Sequence, residues 1–160
     1  MKSMVVYSSQ TGNTRKLAET LVQELPAGAE LYAIDEAPDP AGYDLVALAF
    51  WFQGGAPDPK SAAYLPKITG GRLMLAATHG APADSEHAAQ GLAKAVELAG
   101  GAAVVGAFSC PGEVNPKLLA KVAARPDPPT WIGDAPKAQG HPDEEDLAKL
   151  RAWARETLAT

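Results

Sequence analysis

The chain has 160 residues, a single cysteine and a formal net charge of −5 at pH 7. One cysteine excludes an internal disulfide, and the acidic balance argues against non-specific binding to nucleic acid, which needs clustered Lys and Arg. No apolar run approaches the roughly 20 residues that span a bilayer, and no signal peptide precedes the first predicted strand, so we expect one cytoplasmic domain over residues 1–160 that does not contact a membrane.

Five strand-like runs alternate with helical patterns along the chain. The predicted strands cover residues 3–7, 29–33, 45–50, 73–77 and 103–109. The predicted helices cover residues 14–25, 61–65, 85–99, 116–124 and 142–158. This alternation is typical of right-handed crossovers between parallel strands, with helices on both faces of the sheet. The sequence therefore predicts a three-layer α/β fold built on a five-stranded, doubly wound parallel sheet.

The first predicted strand runs into a polar loop that opens a helix. The loop consists of Ser8, Ser9, Gln10, Thr11, Gly12, Asn13 and Thr14. The amides of such a loop and of a helix N-terminus converge on one point, and the hydroxyl groups add further donors. Gly12 allows the backbone to bend or to approach a ligand closely. The pattern predicts a phosphate site, and an ordinary polar turn is the alternative.

A proline-rich segment at 125–141 precedes the last predicted helix, 142–158. We expect this segment to be irregular, because proline interrupts both helices and strands. It contains Trp131, which lies either on a surface linker or on a flap that packs over a cofactor or meets a partner. Before it, Asn115 is a typical cap for a helix whose first residue is Pro116.

The loop after the first strand carries a family resemblance. The segment is similar to the FMN-phosphate signature of flavodoxins at every constrained position. These positions are two aliphatic residues followed by Tyr7, Ser9, Gly12, Thr14, Ala18 and Leu21. Four later stretches resemble a branch of small flavodoxin-like proteins: Phe50-Trp51-Phe52, Asp84-Ser85-Glu86-His87, residues 110–117 and residues 141–146. We expect the second stretch to cap a helix rather than to catalyse a reaction. The resemblance implies the strand order 2-1-3-4-5 that flavodoxins are known to have, with FMN at the junction of strands one and three.

The resemblance also implies which loops surround the flavin ring. Besides the phosphate loop, the candidate contacts are Trp51, Phe52, Gln53, Gly54, Gly55, Thr78, His79, Gly80, Cys110, Pro111 and Gly112. Trp51 is the candidate for stacking on the ring, and strand alternation turns Phe50 and Phe52 the other way. A core position for Trp51 is the alternative.

The other ring contacts also have alternatives. Gln53, Gly54 and Gly55 either present backbone groups to the ring edge or form a flexible turn. His79 either covers part of the ring or is an exposed loop histidine, and the tyrosine that well-studied flavodoxins often place in this loop is missing. Cys110 either completes the rim or is a buried small side chain, because no cysteine partner or activating histidine lies near it in sequence.

The expected function follows from the cofactor. We expect an FMN-binding, flavodoxin-like protein that carries electrons for a separate reductase or acceptor protein, with no acid-base catalyst among its side chains. The alternatives are an NAD(P)H-dependent FMN or quinone reductase and a flavin-free protein-binding module. The short chain argues against the reductase, because it carries no appended nicotinamide-binding domain. We expect no metal site, since paired Cys and His spacings are absent, and the sequence does not predict the oligomeric state.

Overall fold

The structure is a computed structural model that describes residues 1–133 and 135–160, except for the side chains of Thr130 and Trp131. Its strands are β1 (Ser3–Tyr7), β2 (Glu30–Ala33), β3 (Leu45–Gln53), β4 (Ala56–Pro57), β5 (Arg72–His79) and β6 (Ala103–Pro111). Its helices are α1 (Asn13–Glu24), α2 (Pro59–Tyr64), α3 (Glu86–Leu98), α4 (Pro116–Ala123) and α5 (Glu144–Ala159). Among the described residues, no helix has both the length and the apolar character needed to cross a membrane.

The five longer strands run parallel in the order β2-β1-β3-β5-β6. The two-residue strand β4 pairs with the end of β3 in the antiparallel direction. With β4 set aside, the parallel strands follow the order 2-1-3-4-5 along the chain. The predicted doubly wound α/β fold and its strand order are therefore confirmed.

Two apolar clusters cover the two faces of the sheet. Side chains along a strand alternate between faces, so Met4 and Val6 of β1 belong to one cluster and Val5 belongs to the other. The first cluster includes Ala95 of α3, and the second includes Leu17 of α1. Packing on both faces holds the strand ends, and with them the loops that follow, in fixed positions.

Strand β3 continues past its predicted end at residue 50 and reaches Gln53. Phe52 and Gln53 pair with the two residues of β4 in a short hairpin. The tip of the hairpin is formed by Gly54 and Gly55, whose φ angles are 63° and 76°. Positive φ at both central residues is typical of the two-residue turns that close hairpins. Gln53 therefore belongs to the extended strand, and Gly54 and Gly55 form the turn of the hairpin.

Helix α5 begins two residues later than the prediction at 142–158. The Asp143 carboxylate accepts a hydrogen bond from the Asp146 amide, and the Asp146 carboxylate accepts one from the Asp143 amide, each at 2.9 Å. This reciprocal capping box fixes the start of the helix at Glu144. In the preceding segment, predicted to be irregular, short 3₁₀ turns cover Thr130–Gly133 and Ala135–Ala138.

Gly71, just before β5, is packed tightly against the residues that lead into β3. Its φ is +73°, and a Cβ atom placed there would lie 2.7 Å from the carbonyl oxygen of Tyr43 and 2.8 Å from that of Asp44. Gly71→Ala should lower the free energy of unfolding by about 2 to 4 kcal/mol, because backbone strain adds to overlap with backbone atoms. Urea unfolding followed by circular dichroism measures this loss.

The neighbouring Gly70 provides the matched control. A Cβ atom on Gly70 would meet no atom within 4 Å, and its φ lies outside the left-handed region. The unfolding free energy of Gly70→Ala should stay within about 0.5 kcal/mol of the wild-type value. Equal unfolding midpoints for the two variants would contradict the close approach at Gly71.

Candidate functional site

A cavity of about 480 Å³ opens at the edge of the sheet where the parallel strands end. The loops after β1, β3, β5 and β6 surround it. The predicted site residues that line it are Ser9, Gln10, Thr11, Asn13, Thr14, Trp51, Phe52, Gln53, Gly54, Gly55, Thr78, His79, Gly80 and Gly112. Because β1 and β3 are neighbours at the point where the strand order reverses, the cavity has the position in which doubly wound sheets bind ligands.

The loop after β1 presents a set of backbone amides to this cavity. The first intrahelical hydrogen bond of α1 runs from the Lys16 amide to the Gly12 carbonyl oxygen at 3.2 Å, so the amides before it have no helical partner. The amides that donate to no acceptor among the described residues are those of Ser9, Gln10, Thr11, Asn13, Thr14 and Arg15. The loop thus has the donors that a phosphate site requires.

Gly12 sets the bend of this loop. It is the N-cap residue of α1, with a φ of 93°, and its amide donates to the Ser9 hydroxyl at 3.1 Å. A Cβ atom on Gly12 would meet no protein atom within 4 Å. The position therefore favours glycine because of its left-handed backbone and not because of crowding by the protein.

Two side-chain hydrogen bonds join this loop to the ends of other strands. The hydroxyl oxygens of Thr14 and Thr78 lie 3.0 Å apart, and both residues are buried. Asn13 Nδ2 donates to the carbonyl oxygen of Glu113 at 2.9 Å. The loop after β1 is thereby tied to β5 and to the loop after β6, so the free amides keep their position relative to the cavity.

Asp58 joins the same loop to the end of β3. Its buried carboxylate accepts hydrogen bonds from the Ser8 hydroxyl at 2.8 Å and from the Ser61 amide and hydroxyl at 3.1 and 2.9 Å. The Trp51 amide lies 3.4 Å from the same carboxylate. Ser8, predicted to contact the cofactor, does not line the cavity, because it is buried and its hydroxyl is committed to Asp58.

Two aromatic side chains from the end of β3 border the cavity. Trp51 is half-buried and lines the cavity. Phe52 packs on the same core cluster as Phe50, as strand alternation predicts, and yet it also lines the cavity. The ring of Phe52 lies over Gly91 of α3, which has no side chain to exclude it, and stacks on His79 with 5.1 Å between ring centroids.

His79 is a buried histidine with an unpaired ring nitrogen. The residue is only 5% exposed, so it is not the exposed loop histidine of the alternative interpretation. Its Nδ1 accepts a hydrogen bond from the Ala81 amide at 3.2 Å, which places the proton of the neutral ring on Nε2. Nε2 has no partner among the described residues. Burial, assisted by the nearby charge of His87, lowers the pKa of His79 to about 4, so the ring is neutral at pH 7.

His87 also lines the cavity, a position that the sequence did not predict. Ser85 caps α3 by accepting a hydrogen bond from the Ala88 amide at 3.2 Å, as expected for this stretch. The cap fixes the first turn of α3, and His87 lies there with its ring 5.7 Å from Phe52 and 6.2 Å from His79. The signal available in the sequence was a histidine in the first turn of a helix that follows a site loop.

Cys110 and Pro111, predicted as part of the rim, do not line the cavity. Cys110 is 2% exposed, and burial raises the pKa of its thiol far above the ordinary value. A thiol of this kind is inert as a nucleophile at neutral pH. The buried small side chain of the alternative interpretation describes Cys110 correctly, and Gly112 is the member of this group that reaches the cavity.

Helix α4 and the residues around it supply a wall that the sequence interpretation missed. The additional lining residues are Glu113, Val114, Asn115, Leu118, Val122, Arg125 and Pro129. Leu118 and Val122 are four residues apart, so they share one face of α4. Aliphatic side chains thus border the cavity in a protein whose β5 loop lacks the expected aromatic residue. The side chain of Trp131, the other candidate cover, lies outside the described part of the chain.

Comparisons with known proteins agree with this architecture. The family model of the flavodoxin domain matches residues 4–155 of the chain. The flavodoxin-like domain-containing protein BilS of Clostridioides difficile (strain CD3) is 28% identical over 170 aligned positions, which cover 99% of this chain and 97% of BilS.

Solved structures share the fold at low sequence identity. Oxidised flavodoxin 2 from Bacillus cereus aligns with a TM-score of 0.62 and 19% identity, covering 99% of each chain. A flavoprotein from Lactobacillus acidophilus NCFM, solved in complex with FMN, aligns with a TM-score of 0.54 and 18% identity, covering 68% of this chain and 92% of that chain. At these identities the likeness shows the fold, and together with the family match it supports a flavin-binding redox role.

The low pKa of His79 makes stability depend on pH. An unfolded histidine has a pKa of 6.5, against about 4 in the folded protein, so between these values the unfolded chain binds a proton that the folded chain does not. Stability should therefore fall as the pH drops from about 6.5 towards 4. Above that window this group has no effect.

Replacement of His79 by phenylalanine isolates this contribution. Relative to its own stability at pH 7, the wild type should lose about 2 kcal/mol more than His79→Phe when the pH is lowered to 5. Urea unfolding at the two pH values measures the difference, and nuclear magnetic resonance of the ring protons checks the pKa directly. An equal pH response in both proteins, or a His79 ring that titrates near pH 6.5, would show that the ring is not held neutral.

Proposed function

This chain belongs to the flavodoxin family, and we propose that it binds FMN in the cavity and carries electrons for a partner oxidoreductase. The observation that carries the proposal is the loop of unpaired amides beside a cavity bordered by two aromatic side chains. The amides suit a phosphate group, and Trp51 and Phe52 suit the faces or edges of a flat ring. One ligand with both parts is a flavin mononucleotide.

The phosphate would be held by the backbone rather than by a basic side chain. The loop 8–14 contains no Lys or Arg. Arg15, the first basic residue after it, forms an ion pair with Glu19 at 2.9 Å and lies 5.9 Å from the Tyr7 ring, so its charge is partly engaged elsewhere. The N-terminal amides of α1 are the groups available to an anion, and the Thr14 hydroxyl can donate to it as well when Thr78 is the donor in the bond between the two hydroxyls.

The ring would lie between β3 and the helix α4 wall. Trp51 and Phe52 border one part of the cavity, and Leu118 and Val122 border another. These apolar groups would exclude water from the parts of the ring that they cover. The rest of the ring would stay accessible to solvent at the open side of the cavity. FMN, when bound, supplies reversible electron transfer, and the protein supplies position and electrostatics.

His79 is the polar group best placed to affect such a ring. It is neutral at pH 7, lines the cavity and has a ring N–H without a partner among the described residues. A buried donor without an acceptor costs about 1 to 3 kcal/mol, so a ligand or an ordered water that accepts from it would be bound more tightly. No side chain in this arrangement needs to transfer a proton for the protein to carry electrons.

Anaerobic reduction of the FMN-loaded protein tests the proposed function. NADPH alone should leave the flavin absorption at 450 nm unchanged over seconds, because an electron carrier needs a reductase to accept the hydride. Addition of a catalytic amount of ferredoxin–NADP⁺ reductase should bleach it. Stopped-flow absorption records both reactions.

The same experiment separates the alternatives. Rapid bleaching of the flavin by NADH or NADPH alone would contradict the electron-carrier function and identify a self-sufficient reductase. A protein that takes up no FMN from a saturating solution would contradict both and leave a flavin-free binding module.

A further inference from the structure

Helix α4 carries a charge pattern that differs from the rest of the chain. The segment 115–126 contains three basic residues, Lys117, Lys121 and Arg125, and no acidic residue, whereas the whole chain has a net charge of −5. All three side chains are exposed. Their spacing of four residues places Lys117 and Lys121 on one side of α4, with Arg125 in the turn that follows. We call these three residues the basic stripe.

The charges of the basic stripe are not neutralised within the described part of the chain. Ion pairs elsewhere join Arg15 to Glu19, Lys60 to Asp35, Lys149 to Glu145 and Arg155 to Glu24. No residue of the basic stripe forms an ion pair with a described residue. The stripe is therefore a group of three exposed cations without an ion-pair partner in the described part of the chain, and the exposed acidic residues Glu113 and Asp127 flank it in sequence.

Helix stability does not account for this pattern. Lys121 lies in the last turn of α4, where a cation interacts favourably with the helix dipole. Lys117 is the second residue of the helix, where a cation is unfavourable, and its amide is the one that donates to the Asn115 cap at 2.9 Å. The charge of Lys117 therefore does not serve the stability of α4.

The stripe borders the cavity. Leu118, Val122 and Arg125 line the cavity, and Leu118 is 46% exposed, which is high for a large apolar side chain. Lys117 and Lys121 flank Leu118 on the solvent side of the same helix. One surface therefore combines an exposed apolar residue with positive charge beside the proposed FMN site.

We propose that the basic stripe and Leu118 form the docking surface for an acidic patch on the redox partner protein. This inference rests on the proposed function, because it identifies the partner of the same site. A partner seated on α4 would bring its redox centre to the open side of the cavity. Electron-transfer complexes are often small and depend on charge to orient the partners, so a few basic side chains around one apolar residue suffice.

The overall charge of the protein makes the proposal testable. A net charge of −5 alone would repel an acidic partner, and salt would relieve that repulsion. A local basic patch would attract the acidic partner, and salt would weaken that attraction. The two cases predict opposite signs for the effect of ionic strength on the rate of electron transfer.

The experiment uses two acceptor proteins of opposite charge. The FMN-loaded protein is reduced anaerobically and mixed with oxidised plastocyanin, which is acidic, or with oxidised cytochrome c, which is basic. Each electron that leaves the reduced flavin converts one Cu(II) to Cu(I) or one haem Fe(III) to Fe(II). Stopped-flow absorption gives the second-order rate constants between about 20 and 200 mM salt, a range over which screening changes strongly.

A pair of double variants separates the basic stripe from net charge. Lys117→Gln with Lys121→Gln removes two charges from the stripe, and Lys67→Gln with Lys94→Gln removes two exposed charges elsewhere. None of these four side chains lines the cavity. The rate with plastocyanin should fall with salt, and at low salt the stripe variant should be slower than wild type by about tenfold. The rate of the control variant with plastocyanin should stay close to that of the wild type. Cytochrome c is attracted by the net charge of −5, so its rate should also fall with salt, but the stripe variant should reduce it no more slowly than the wild type does.

The outcomes are distinct. A rate with plastocyanin that rises with salt, or an equal loss in both double variants, would overturn the docking surface while the electron-carrier function stands. Failure to bind FMN, or failure to reduce either acceptor, would overturn the proposed function and the docking surface with it.

Discussion

The amides between β1 and α1 are the constraint around which the site is built. A strand that ends and a helix that begins within a few residues leave these donors without partners in either element. Three hydrogen bonds then fix the loop against its surroundings, from Thr14 to Thr78, from Asn13 to Glu113 and from Ser8 to Asp58. The partners lie in β5, in the loop after β6, and at Asp58, whose carboxylate lies beside the end of β3. The contacts that position the site therefore also join the loops at the edge of the sheet where the parallel strands end.

The walls of the cavity follow from how the remaining strand ends are packed. Asp58 holds the end of β3, where Trp51 and Phe52 lie, and the small size of Gly91 leaves room for the Phe52 ring against α3. His79 is stacked on that ring. Its burial lowers the pKa of the ring and leaves the Nε2–H group without a partner among the described residues. Unpaired buried donors are rare in native proteins, so the Nε2–H group of His79 calls for an acceptor such as an ordered water or a ligand atom.

The sequence was most informative where local chemistry decides the structure. Alternating strands and helices predicted the parallel sheet, and the hydroxyl-rich loop predicted the donors after β1, whereas the strand order was implied by the resemblance to flavodoxins. It was less informative where tertiary contacts decide. The Ser8 hydroxyl donates to Asp58, which lies fifty residues away in the sequence. His87 and α4 border the cavity because of tertiary packing, which a local sequence pattern does not predict. Phe52 lines the cavity because Gly91 of α3 leaves space for its ring.

Titration of the FMN-free protein with FMN and with riboflavin, followed by flavin fluorescence, tests the phosphate site most directly. The two ligands differ only in the phosphate group. Several charge-assisted hydrogen bonds to that group predict that FMN binds at least about 100-fold more tightly than riboflavin. Thr14→Val should reduce the ratio of the two affinities. Thr20 is a buried threonine farther along α1, and Thr20→Val should leave that ratio unchanged. Equal affinity for FMN and riboflavin would contradict the account.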